Sequence, residues 1–331
     1  MVKKYVYGTP FETEAVVKKI PSSEGNPDYG TFSTENGFSF TTKLADDDMV
    51  FGLGEANRGI NKRGFLYISD CADDPNHVES KTSLYAAHNF IIISGKTHVG
   101  FFFDYPGTLR FDIGYTTSDT MTVSCENADL YVYMITGDSD LDIVKQFRGI
   151  IGRSYIAPKF AFGYGQSRWG YKTEDDFRTV VKKYRENHVP LDMVYMDIDY
   201  MQDYKDFTVN EERFPDFEGF VQDMKKEKIH LVPIIDAGVK VEEGYDIYEE
   251  GCEKGYFCRR EDGSYFEATV WPGWTHFPDV LNADARKWFG DKYDVLVSKG
   301  IDAFWNDMNE PSIFYSQEGL ADFKETAKKY V

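Results

Sequence analysis

The feature that most constrains this chain is a change of rhythm after Leu141. Before it, apolar and polar residues alternate in short runs broken by turn-forming residues, and no helical period appears. Phe90–Ser94 and Val99–Tyr105 are apolar runs joined by Gly-Lys-Thr-His, which predicts a hairpin. Met121–Glu126 and Leu130–Thr136 form a similar pair across Asn127-Ala128-Asp129. Many short strands separated by frequent turns predict an antiparallel β-sandwich over residues 1–145.

From residue 146 onward strands alternate with helices. A short helical stretch leads to Ile156-Ala157-Pro158, and Phe160–Gly165 then reads as a strand. Thr173 with Asp176 is a capping box opening a helix with Phe177, Val180, Val181 and Tyr184 on one face. Leu191–Asp197 is a second strand, and Phe217, Phe220, Val221 and Met224 mark a second helix. His230–Asp236 has the continuous apolarity of a strand covered on both faces. A long insertion (240–280) precedes a third helix around Arg286–Lys299, which Gly300 stops, and a fourth strand, Ile301–Asn306. Repeated strand–helix units imply a parallel sheet, doubly wound or closed as a (β/α)8 barrel. No glycine-rich phosphate loop follows any of these strands, which argues against nucleotide binding. The last three strands end in Asp197, Asp236 and Asp307. In a barrel those ends share the rim where chemistry sits, although an aspartate there also serves as a plain helix cap.

Composition narrows the function classes. With 37 basic and 56 acidic residues the formal net charge is −19, which disfavours nucleic acid and anionic membrane as partners. No apolar stretch approaches the roughly 20 residues that span a bilayer, and the N-terminus lacks a signal-peptide core. The four cysteines are spaced as neither a zinc ribbon nor a disulfide framework, so they read as reduced thiols of a cytoplasmic protein. Aromatic residues make up 16% of the chain; they fill strand-rich cores and also stack on sugar rings.

The segment Trp305-Asn-Asp307-Met-Asn-Glu310-Pro offers two carboxylates, an amide and a large aromatic at a strand end. A carboxylate buried beside a ligand can attack an anomeric carbon or stabilise an oxocarbenium ion. Trp-x-Asp-Met-Asn-Glu resembles the nucleophile signature of glycoside hydrolase family 31. Gly-Tyr-Gly-Gln-Ser-Arg-Trp-Gly-Tyr (163–171), Pro-Leu-Asp-Met-Val-Tyr-Met-Asp-Ile-Asp-Tyr-Met (190–201), Val-Trp-Pro-Gly (270–273) and Gly-Leu-Gly-Glu (52–55) resemble that family in the same order. The resemblance spans nearly the whole chain. It implies a β-sandwich followed by the first half of a (β/α)8 TIM-type barrel, an α/β catalytic unit behind an all-β domain.

The resemblance also implies roles. Asp307 matches the catalytic nucleophile, and Asp197 the carboxylate that binds sugar hydroxyls far from the cleaved bond. Ile198 and Ile234 would pack on the sugar ring, with Trp169, Trp271, Trp305 and Met308 as pocket walls. Asp73, or its neighbour Asp74, matches an aspartate on a sandwich loop that reaches over the pocket. His276 and Glu310 are rim or supporting residues. Tyr115, Arg168 and Asp236 lie near the motifs without a role, and Trp274 and Trp288 read as core packing.

The expected activity is retaining, exo-acting hydrolysis of terminal α-linked glucose from a small oligosaccharide, with no metal and no organic cofactor. The second carboxyl that retention requires, about 5–5.5 Å from the nucleophile, finds no match between Asp307 and Val331. It is therefore expected from a C-terminal half of the barrel absent from this chain, and the chain alone is expected to be inactive. Oligomerisation is left open. An α-xylosidase, an α-transglucosidase and a non-catalytic sugar-binding half are the alternatives.

Overall fold

The structure is a computed structural model that describes residues 1–71 and 73–317. Two compact units divide the chain after Tyr155. The first contains ten strands: β1 (Val2–Tyr7), β2 (Thr31–Ser33), β3 (Phe38–Lys43), β4 (Met49–Gly52), β5 (Phe65–Ser69), β6 (Phe90–Ser94), β7 (His98–Asp104), β8 (Leu109–Ile113), β9 (Thr120–Cys125) and β10 (Leu130–Gly137). They form two five-stranded antiparallel sheets, β1-β10-β7-β6-β4 and β2-β3-β9-β8-β5.

Alternation explains the packing between them. Val99, Phe101 and Phe103 of β7 and Leu130, Val132 and Met134 of β10 join Phe38, Phe40, Phe111 and Val123 of the other sheet in one buried core. The intervening residues, Phe102, Tyr131, Tyr133 and Ile135, are also covered, because helix α1 (Asp140–Ile151) lies on that face. Phe147 of α1 stacks on Phe90 with ring centroids 3.8 Å apart. A Cβ at Gly100 would stand 2.5 Å from Ile143 Cγ2, so only glycine admits the helix this closely.

Two expectations for this unit are corrected. The boundary lies about ten residues later than residue 145, because α1 buries Ile143 and Ile150 against the sandwich. The hairpin at 90–105 is present, with Ser94 opposite His98. The expected pair Met121–Glu126 and Leu130–Thr136 is not a hairpin: β9 pairs with β3 and β8, whereas β10 pairs with β1 and β7 in the opposite sheet. Alternation is the same for a hairpin and for a crossing between sheets, and only the partner strands distinguish them.

The second unit holds a parallel sheet ordered β11-β12-β13-β17, half of the eight strands that close a TIM barrel. These strands are β11 (Gly165–Gln166), β12 (Met193–Met196), β13 (His230–Ile235) and β17 (Trp305–Asn306). The expected strand 160–165 shrinks to β11, since residues 159–162 wind into a 3-10 turn after Pro158 and Phe160 stacks flat on His230 at 3.5 Å. Helix α2 (Glu174–Glu186) opens with the Thr173–Asp176 capping box. Helix α3 (Phe217–Lys226) buries Phe217, Phe220, Val221 and Met224.

The insertion contains β14 (Val239–Lys240), α4 (Asp246–Lys254), β15 (Glu267–Val270) and β16 (Gly273–His276). Its antiparallel sheet takes a fourth strand, β18 (Tyr315–Ser316), from beyond Asp307, with Ala268 opposite Ser316. The helix expected at 286–299 is two, α5 (Ala283–Lys292) and α6 (Asp294–Val297), and it starts earlier because the Asn282 side chain caps it. Its end is as expected: Gly300 has φ +103, Gly300 N donates to Val297 O and Ile301 N to Leu296 O, the two bonds of a Schellman closure. Residues 301–304 make no ladder, so the fourth strand reduces to β17.

Candidate active site

The register of the parallel strands builds the site. Met196 lies opposite Pro233, Ile234 opposite Trp305 and Ile235 opposite Asn306. Continuing one residue, Asp197 falls beside Ile234, and Asp236 beside Asp307, whose N–H donates to Ile235 O at 3.1 Å. Val194, Met196, Leu231 and Ile235 pack with Phe177, Val181, Phe220 and Val221 of the helices. Period two then sends Tyr195, Asp197, Val232, Ile234, Asp236, Trp305 and Asp307 to the opposite face. The side chains form layers there, with Asp197, Ile234 and Trp305 in one and Asp236 and Asp307 above it.

Each carboxylate is held differently. Asp197 caps the 3-10 turn Ile198–Tyr200, accepting from Ile198 N at 2.8 Å, so it is both a cap and a rim residue. Burial raises its pKa, the Ile198 N–H opposes this, and the Asp199 and Asp307 charges add to the rise. Burial pushes Asp236 up to about 7, helped by Asp307 and Asp197. Asp206, in the loop after β12, is raised well above the usual range by burial and by Asp236, although its Oδ1 accepts from Asp236 N at 3.0 Å. Two tyrosine hydroxyls fix the backbone beneath: Tyr200 donates to Ile234 O at 2.8 Å, and Tyr245 to Asp206 O at 2.7 Å.

The remaining candidates fall around this rim. Ile198 and Ile234 are 3% and 1% exposed, so they form a floor within the core cluster. Trp305 is half-buried, edge-on to Tyr195 with centroids 6.1 Å apart. Met308 is buried against Phe266 and Phe277, with φ +58, a backbone state that non-glycine residues keep only where surrounding structure holds it. Trp169 is 63% exposed, in the loop before α2. Trp271 sits at the β15–β16 turn, edge-on to Phe314 at 4.8 Å.

Trp288 is core, as expected, but Trp274 is 40% exposed and lies edge-on to Tyr315. His276 is buried inside the insertion, its Nε2 2.9 Å from Glu267 Oε1; burial lowers its pKa and Glu267 opposes that. Asp73 lies exposed in the loop between β5 and β6 of the first unit, and its neighbour Asp74 pairs with Lys81. Asp206, Tyr200 and Tyr245 escaped the sequence reading. Asp206 lies in an irregular loop with no periodicity, and tyrosines in apolar runs read as core. Among the described residues no three His, Cys, Asp or Glu side chains converge as a metal site requires.

A sandwich, a parallel strand–helix sheet and acidic groups at its C-terminal rim together define a barrel-type glycoside hydrolase architecture. Residues 154–330 match the TIM-barrel domain of the glycosyl hydrolases family 31, and residues 10–112 match that family's N-terminal galactose mutarotase-like domain. The chain belongs to glycosyl hydrolase family 31. It is 37% identical over 277 residues to alpha-glucosidase 2 of Bacillus thermoamyloliquefaciens, covering 82% of this chain and 35% of that protein. It is 28% identical to an alpha-glucosidase of Saccharolobus solfataricus, covering 95% of this chain and 46% of the relative. The family 31 alpha-glucosidase structure from Bacteroides thetaiotaomicron superposes with a TM-score of 0.77 at 26% identity, covering 87% and 49% of the two chains. The chain thus spans between about a third and a half of the length of these relatives.

Proposed function

We propose that this chain carries the nucleophile half of a retaining, exo-acting α-glucosidase that removes terminal non-reducing α-linked glucose from oligosaccharides. The observation that carries this reading is the placement of Asp307 at the end of β17, beside Asp236 and one layer above Asp197, Ile234 and Trp305. Asp307 attacks the anomeric carbon and forms a covalent glucosyl-enzyme, which water then hydrolyses. Asp197 accepts hydrogen bonds from sugar hydroxyls at the far end of the ring. Ile198 and Ile234 support the ring from below, and Trp169, Trp271, Trp305 and Met308 shape the walls. The acid/base carboxyl comes from barrel strands other than the four seen here. The alpha-glucosidase names of the relatives support glucose as the sugar. The test is inactivation of the catalytically competent protein by a fluorinated glucosyl fluoride, followed by peptide mapping. A glucosyl adduct on Asp307 is expected. A label on another carboxyl would remove Asp307 from the role, and no label at all would favour a binding half that does no chemistry.

A further inference from the structure

Asp236 has no place in the mechanism above, yet its carboxyl is buried among other carboxyls. It is 3% exposed and Asp206 is 1% exposed. Both carboxyl oxygens of Asp236, and Oδ2 of Asp206, are buried without a hydrogen-bond partner among the described residues. An ionised carboxylate in such a place would be surrounded by the wrong groups. Asp307 faces it from the end of β17, Asp197 from the end of β12, and Asp206 from the loop after β12. The Tyr200 and Tyr245 hydroxyls beside them are already donated to Ile234 O and Asp206 O. Lys205, next to Asp206, and Lys240, four residues after Asp236, both turn to Glu242 at 2.6 Å. Beside burial, the charges that push Asp236 up are those of Asp307 and Asp197. Like charges on neighbouring strands, about 5 Å apart, are not both ionised cheaply in a buried site.

We propose that Asp236 is a positioning residue: its backbone ties the loop after β12 to the nucleophile strand, while its buried side chain works as the uncharged acid and leaves the negative charge of that layer to Asp307. Its backbone N–H holds Asp206, and the preceding residue's carbonyl holds the Asp307 N–H. A pKa near 7 agrees with this geometry. The proton therefore stays on Asp236, and the layer carries one charge where two carboxylates would carry two. The proposal rests on Asp307 being the nucleophile.

The test compares wild type, Asp236→Asn and Asp236→Ala in the catalytically competent protein. Asparagine keeps the shape and the neutral charge, so the acid limb of the kcat/KM profile should stay where it is, within about 0.2 pH units. Were Asp236 ionised, its removal would lower that limb by about two pH units, from Coulomb's law at about 5 Å and an effective dielectric near 20. Asp236→Ala should lose kcat more than KM, and Asp236→Asn should recover most of that loss. Infrared difference spectra between wild type and Asp236→Asn at pH 5 should show a protonated-carboxyl band assigned to Asp236. A shifted acid limb, an Asn variant no better than Ala, or absence of the band each overturns the proposal. If wild type hydrolyses no α-glucoside, the functional reading fails, while the infrared band still decides the protonation state of Asp236.

Discussion

Replacing Asp197 by Asn separates two effects that the geometry sets against each other. Asp197 lies beside Ile234 on one side of β13, and Asp307 lies beyond Trp305 on the other. Two strand spacings of about 4.8 Å and an axial offset of two residues place their backbones roughly 12 Å apart. At an effective dielectric near 20, the repulsion between two full charges at that distance is about 1.4 kcal/mol, or about one pH unit. Removing the Asp197 charge should therefore lower the acid limb of kcat/KM by about one unit, provided the limb reports Asp307. The same change turns a charged hydrogen bond to the sugar into a neutral one. Charged bonds contribute about 1.5–3 kcal/mol and neutral ones about 0.5–1.5, so the plateau should fall by about 5–20-fold. The loss should be greater for a glucoside than for the corresponding xyloside, which lacks the hydroxymethyl group. Steady-state kinetics on both substrates from pH 4 to 8 would measure all three quantities. An unmoved acid limb would show that the two carboxylates do not sense each other. Equal losses on the two substrates would exclude Asp197 from the hydroxymethyl end of the pocket.

Asp307→Ala should abolish turnover while leaving glucose affinity within a few-fold, since the carboxylate acts in the transition state and intermediate; residual kcat within tenfold of wild type would refute this. Trp169→Tyr should change the ratio of maltose to isomaltose hydrolysis more than the overall rate, because an exposed wall is altered and both Asp197 and Asp307 remain. Phe40→Ala should destabilise the first unit by about 4 kcal/mol in denaturant titrations, as Phe40 is fully buried and packs on Phe32 and Phe101 at 4.6 Å; a loss below 1 kcal/mol would mean the core closes around the gap. Burial raises the folded-state pKa of Asp236 from roughly 4 to about 7, so its contribution to stability is complete below pH 4 and is lost as pH rises to 7. Asp236→Asn should remove that slope, on the order of 4 kcal/mol across the interval, and an unchanged slope in urea melts at pH 4 and 7 would refute it.

What the sequence disclosed depended on whether the signal was local. The Thr173–Asp176 capping box, the buried face of α3 and the Gly300 stop are each written within a few residues, and each is found in the structure. The hairpin of β6 and β7 is likewise local. By contrast, the sheet to which β10 belongs depends on partners more than a hundred residues away, since its first neighbour is β1. The end of the first unit was misplaced because α1 reads as the start of the helical half, while its apolar face belongs to the sandwich. In the site, Asp197, Asp236 and Asp307 were legible as strand-end acids. Asp206 was not, because its importance comes from one backbone N–H across a loop.

The strand β18 has a further consequence. The segment that follows Asp307 is fixed at one end by the barrel ladder and at the other by pairing with β15, where Phe314 N also donates to Thr269 O at 2.8 Å. The turn bearing Trp271 hangs from that same ladder and touches Phe314. The insertion is therefore no detachable cassette. Grafting it from another family member would carry along a new anchor for the segment after Asp307, so the surroundings of Trp271 and of Asp307 change together when this region diverges.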